Sequence, residues 1–200
     1  LRRDSVQREA VYIALGITSV GIKEVLDHRI APSENAGVWS EMAEDLKKRG
    51  LEQVQLIIAD GMVGLQPALL HAFPKAKFQR CLVHVMRNIG SHVRLKDREA
   101  ILNDFKELHS ATDVTAAHKI LNDFYGAWGK SYSNLIQQLK SIENELLAFL
   151  SSPPGHSTNN LFNQYLRITE QKNQTQDQTK GTISKRKIFR QFHWGSSHKL

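Results

Sequence analysis

Asp60 is the residue whose setting most invites chemistry. It closes a short apolar run, Val54 to Ala59 (VQLIIA), and is followed by Gly61. Ligands and metals collect at the carboxyl ends of strands in open α/β sheets, and a hard cation such as Mg2+ takes carboxylate oxygens there. An Asp-Gly pair after a strand is equally an ordinary turn, since both residues suit tight backbone conformations. Cys81-x-x-His84 comes next, because a thiolate and an imidazole at this spacing can supply two zinc ligands. Zinc needs two more, and Cys81 is the only cysteine. His71 and His92 stand at no recognisable metal spacing, so a structural pair at the start of a helix is the competing reading. Ser157-Thr158-Asn159-Asn160 follows the breaker SSPPG and by itself is a cap or turn cluster.

The elements that must position these residues can be read from periodicity. Arg8 to Ile17 (REAVYIALGI) is apolar and β-branched, a buried strand, and Gly21 to Ile30 alternates as its hairpin partner. Ser33, after Pro32, is the expected N-cap of a helix carrying Val38, Trp39, Met42, Ala43 and Leu46, which Arg49-Gly50 closes. Val54 to Ala59 has the composition of a parallel core strand. Gly64 to Phe73 reads as a helix, Lys77 to Arg80 as a short strand and Cys81 to Ile89 as a helix. From Val93 to Leu150 apolar residues recur at three and four spacing: Leu102, Phe105 and Leu108; Ala116, Ile120 and Phe124; Leu135, Leu139, Ile142 and Leu146. That is a block of about three helices. The order of elements predicts an α/β fold with a mixed sheet and an all-helical insertion.

Composition narrows the function classes. No segment approaches the roughly 20 apolar residues of a membrane span, and a single cysteine excludes a disulfide framework and fits a reducing cytoplasm. The net charge is +7. Residues 156–200 carry eight lysines and arginines against two acids, so nearly all the excess lies in the tail. A basic tail can bind nucleic acid through phosphates, or can simply be solvated. Residues 170–187 have almost no apolar content and read as disordered.

Together these segments resemble the Mutator-family transposases of bacterial insertion sequences. The likeness runs through GIKEVLDHRIAPSENAGVWSEMAEDLKKRGLEQVQLIIADGMVGLQPALLHAFPKAKFQRCLVHVMRN. It includes the Trp39 helix, Lys48-Arg49-Gly50, Asp60-Gly61, Phe73-Pro74, and Gln79-Arg80-Cys81 with His84 and Arg87-Asn88. The resemblance implies a ribonuclease-H-like mixed sheet with a helical insertion. It also implies DNA cleavage and strand transfer by two Mg2+ ions held by two aspartates and a glutamate, on transposon ends and target DNA, by a homo-oligomer. Asp60 matches the second aspartate, and Cys81 and His84 match the family's cysteine/histidine motif. The first aspartate belongs to a strand that the pattern places before Leu1; Asp4 falls after it. Ser157-Thr158-Asn159 matches a motif that should precede the glutamate by three residues, but Phe162 stands there.

The resulting expectations are a partial catalytic core over residues 1–92, the insertion over 93–150, a degraded return segment over 151–169 and a basic tail over 170–200. With two of three acids missing, the chain is expected to be an inactive remnant, so whether it is an enzyme stays open. The rivals are a nucleic-acid-binding module that uses the basic tail, a zinc-dependent protein built on Cys81 and His84, and a metal nuclease without strand transfer. A frameshift near residue 160 would account for Phe162 and for the tail. Codons exist for Lys180 to Gly195 (KGTISKRKIFRQFHWG) that, read one nucleotide later, give KEQFPNEKSFDNFIG, which resembles the family's own C-terminal segment. The gene's nucleotide sequence is expected to show this shift; a frame that matches relatives unbroken through the tail refutes it.

Overall fold

The computed structural model describes residues 9–18, 22–151 and the backbone of 187–194. Among these residues, five strands form one mixed sheet: β1 (Ala10–Thr18), β2 (Lys23–Ala31), β3 (Val54–Ala59), β4 (Lys77–Arg80) and β5 (Lys187–Trp194), in the order β2-β1-β5-β3-β4. The strand β1 pairs antiparallel with β2 around a bulge at Ala14/Leu15, and parallel with β5. The described residues also form seven α-helices: α1 (Ala36–Lys48), α2 (Leu65–Ala72), α3 (Leu82–His92), α4 (Leu95–Lys106), α5 (Val114–Trp128), α6 (Ser133–Ser141) and α7 (Glu143–Leu146). No helix among the described residues is long and apolar enough to cross a membrane. The mixed α/β class is as the sequence predicts. The chain divides into two compact units, between Phe78 and Gln79, with β5 in the first unit; the sequence boundary stood at 92.

Three differences from the sequence reading have physical causes. The run VQLIIA was expected to be a parallel strand; on the edge it shares with β5, β3 pairs antiparallel. Apolar composition reports that both faces are covered and carries no information about direction. Second, Asn35 rather than Ser33 caps α1: its side chain accepts from the Gly37 amide at 2.7 Å, while the Ser33 carbonyl is engaged by the Tyr12 hydroxyl at 2.8 Å. Third, within the stretch expected to be a disordered tail, Lys187–Trp194 forms β5. The remainder of that stretch, and the 151–169 return segment after Ser151, lie outside the described residues.

The first unit has its core on one face of β1 and β3. Along β1, Ala10, Tyr12 and Ala14 are buried while Val11, Ile13 and Leu15 are half-buried, the period of a strand with one face packed. Tyr12, Leu26, Trp39, Met42, Leu46, Ile57, Leu65 and Leu69 belong to one apolar cluster. Tyr12 meets Trp39 edge-on at 5.2 Å between ring centroids, a favoured aromatic geometry. Its hydroxyl also accepts from the Asn35 amide at 2.6 Å, so the loop into α1 is tied to the sheet at both ends. Arg49-Gly50 ends α1 as expected. Gly50 takes φ 101°, a conformation that favours glycine. Its amide bonds the Lys47 carbonyl and the Leu51 amide bonds that of Leu46, each at 3.0 Å, which satisfies carbonyls the helix end would leave open.

The described residues of the second unit are helical apart from the end of β4. In α5 the buried stripe is Ala117, Leu121, Phe124 and Tyr125, one position on from the expected Ala116 and Ile120. Gln79 is fully buried and acts as a polar tie. Its amide nitrogen donates to the carbonyls of Arg80 at 2.8 Å and Leu146 at 3.0 Å, and its oxygen accepts from the Phe149 amide at 2.9 Å. Beside it, Arg80 holds Glu145 through Nε at 2.7 Å and Nη2 at 2.6 Å.

These ties can be tested by substitution. Gln79→Leu preserves bulk but strands the Leu146 carbonyl and the Phe149 amide, at about 1–3 kcal/mol for each group left unpaired. The denaturant midpoint should fall with the slope unchanged, and an unmoved midpoint refutes the tie. Asp113 caps α5 by accepting from the Ala116 amide at 2.8 Å, and this bond, with the Thr112 hydroxyl, holds its carboxyl below the ordinary 3.8. A depressed folded-state pKa stabilises above the unfolded value and is lost as pH falls through the folded one. The melting temperature of Asp113→Ala should therefore lie below that of wild type at neutral pH, with the gap closing as pH drops below 3.8. A gap independent of pH refutes the charged cap.

Candidate functional site

Asp60 stands where β3 leaves the interior. Leu56, Ile57, Ile58 and Ala59 are all buried, and Asp60, half-buried, is the first residue past the strand. Its Oδ1 accepts from the Met62 amide at 3.2 Å, which bends the backbone immediately after the carboxylate. The turn continues as the Leu65 amide bonds the Met62 carbonyl at 3.2 Å. Gly64 then takes φ 80° and leads into α2. A Cβ there would meet Ala36 at an ordinary 3.5 Å, so backbone conformation rather than space makes glycine the fitting residue. Met62 packs against the core cluster, whereas Val63 is 94% exposed at the apex of the loop. The turn reading and the site reading of Asp-Gly are thus compatible: the turn holds one carboxylate oxygen in place at the carboxyl end of a strand.

Cys81 and His84 lie in the second unit. Cys81 is buried and is the residue from which α3 starts; its carbonyl accepts from the Val85 amide at 3.0 Å. His84 follows one turn later, on the same side of the helix. Among the described residues no group of three or more His, Cys, Asp or Glu comes together in a way that could hold a metal ion. A zinc site around Cys81 and His84 is therefore not assembled there, and neither is a set of three acids around Asp60. Ser157-Thr158-Asn159 and Phe162 lie outside the described residues.

Sequence reasoning put Gln79 and Arg80 inside a family motif without a role. The fold gives them one, as the buried tie and ion pair that fasten the end of β4 to the segment from Glu145 to Phe149. Those partners lie more than sixty residues away in sequence, and no local signal announces them.

Comparison with known proteins bears on all of these positions. The pattern described as "Transposase, Mutator family" matches residues 1–180. The chain is 54% identical over 153 residues to the transposase for insertion sequence element IS1201 of Lactobacillus helveticus, covering 76% of this chain and 42% of that protein. It is 40% identical over 153 residues to the transposase for IS905 of Lactococcus lactis subsp. lactis, covering 76% and 39%. Over 117 residues it is 32% identical to the transposase for IS256 in transposon Tn4001 of Staphylococcus aureus, covering 58% and 30%. The chain thus spans about two fifths of the length of the first two relatives. It belongs to the Mutator family of insertion-sequence transposases.

Proposed function

We propose that this chain carries part of the ribonuclease-H-like catalytic core of an insertion-sequence transposase, with Asp60 as one of its metal-holding carboxylates. The observation that carries the reading is the coincidence of family and place. The position matching the family's second aspartate is the one that emerges, turn-fastened, from the carboxyl end of a buried strand. A mixed sheet flanked by helices supports the fold assignment. On this reading the intact enzyme cuts and joins transposon ends and target DNA as a homo-oligomer, in the bacterial cytoplasm where that DNA resides.

The implied Mg2+ pair does not fit the described residues. Two such ions need charge from several carboxylates, and no three acids or other ligands gather around Asp60. No cleavage step is derived through it. What Asp60 offers is one fixed carboxylate, which binds Mg2+ weakly because the ion keeps most of its waters. The chain alone is inactive on this reading.

The test uses Mn2+ as a paramagnetic probe in amide spectra of the whole chain. Broadening should centre on Gly61 to Gly64 and vanish in Asp60→Asn, which keeps an acceptor for the Met62 amide. The wild-type chain should not nick supercoiled plasmid in Mg2+. Broadening unaffected by Asp60→Asn refutes the metal role, and Mg2+-dependent nicking by the chain refutes its inactivity.

A further inference from the structure

The second unit carries a groove of about 520 Å3 between α3 and α4. Its floor is apolar, made by Val83, Met86 and Leu102, and Arg87 and Arg98 line it from the two helices. The helices come close at Gly90, where a Cβ would lie 3.5 Å from Leu102 Cδ1 and 3.9 Å from Arg98 Cγ. The two charged side chains that line this groove, Arg87 and Arg98, are both cations. Between Arg87 and Arg98 the chain carries four cations, Arg87, Arg94, Lys96 and Arg98, and a single acid, Asp97. All four cations are exposed. Asp97 is engaged elsewhere, accepting from the Tyr132 hydroxyl at 2.6 Å. Glu99 follows Arg98, but adjacent helix positions do not share a face.

We propose that this groove seats one strand of DNA, with phosphates on Arg87 and Arg98 and a deoxyribose edge on Val83, Met86 and Leu102. The inference rests on the transposase reading above and adds a binding surface to it. Charge complementarity selects the occupant. Guanidinium groups match phosphate oxygens in a planar, two-point geometry. A sugar-phosphate strand also alternates a charged unit with a compact apolar one, as the rim and floor of the groove do. The basic tail is a separate source of charge, so the groove must be tested against it and against net charge in general.

The experiment measures binding of the full chain to a fluorescent duplex of arbitrary sequence across a salt series. Arg98→Glu is compared with Lys47→Glu, an equal charge reversal at an exposed position of α1, and with Arg98→Lys. Arg98→Glu should weaken binding roughly tenfold at low salt and reduce the slope of log K against log salt by about 0.9 for each phosphate the variant no longer neutralises. Lys47→Glu should change affinity much less, and Arg98→Lys should recover most of it. Unchanged melting temperatures show that the variants fold. Equal losses from Arg98→Glu and Lys47→Glu, or none from either, overturn the groove and leave the transposase reading standing. A wild-type chain that binds no DNA at any salt likewise overturns the groove and leaves the transposase reading standing. Loss of binding to a polyglutamate peptide in Arg98→Glu, with DNA binding intact, assigns the groove to an acidic protein segment and also overturns the proposal.

Discussion

Burial of β3 is the constraint on which the candidate site depends. Five of the six residues from Val54 to Ala59 are buried, Gln55 being the exception, so from Leu56 onward the strand is enclosed and the chain turns polar at its end. Asp60 is that point of exit. Its Oδ1 closes the turn that follows, Gly64 supplies the left-handed residue the turn needs, and Leu65 returns the chain to the core at the start of α2. A carboxylate fastened in this way loses little further freedom when it meets a cation, which is the value of placing it on a rigid element. The packing of Tyr12 on Trp39 serves the same end at the other side of the core. It fixes α1 against β1, beneath the sheet that carries β3.

In the second unit the organising interaction is polar. Gln79 makes its three hydrogen bonds where no water can replace them, joining the end of β4 to carbonyl and amide groups near Leu146 and Phe149. Buried amides of this kind add little net energy when paired and cost much when unpaired. They select one arrangement of the helices over its neighbours. Cys81 and His84 begin α3 immediately after this tie. The fold therefore offers a structural account of Gln79 and Arg80 in the Gln79-Arg80-Cys81 motif.

Charge is distributed less simply than a count along the chain indicates. Summed over residues 1–155, acids and bases nearly cancel, so the body of the protein carries no evident signature for nucleic acid. Folding separates what the sum conceals. Arg29 is engaged by Asp27, Glu41 and Asp45, Arg80 by Glu145, and Lys119 by Asp123. Around the α3–α4 junction, Arg87 and Arg98 line one groove, and Asp97 accepts from Tyr132.

Much of the architecture was legible in the sequence because it rests on local periodicity. The apolar run ending at Asp60, the helix stop at Arg49-Gly50, the short strand Lys77–Arg80 and the helical block after Val93 each follow from side-chain spacing and backbone preference within a few residues. The family, too, was readable from motifs in order. The tertiary structure alone decided what depends on distant partners. It set the antiparallel pairing of β3 with β5, since burial carries no sense of direction. It made Asn35 the cap in place of Ser33, since the helix begins at Ala36 and the Asn35 side chain reaches the Gly37 amide. It gave Gln79 its role and turned scattered arginines into a groove. Periodicity records which face of an element is covered; what covers it, and which charges gather on one surface, is settled only when elements far apart in the chain meet.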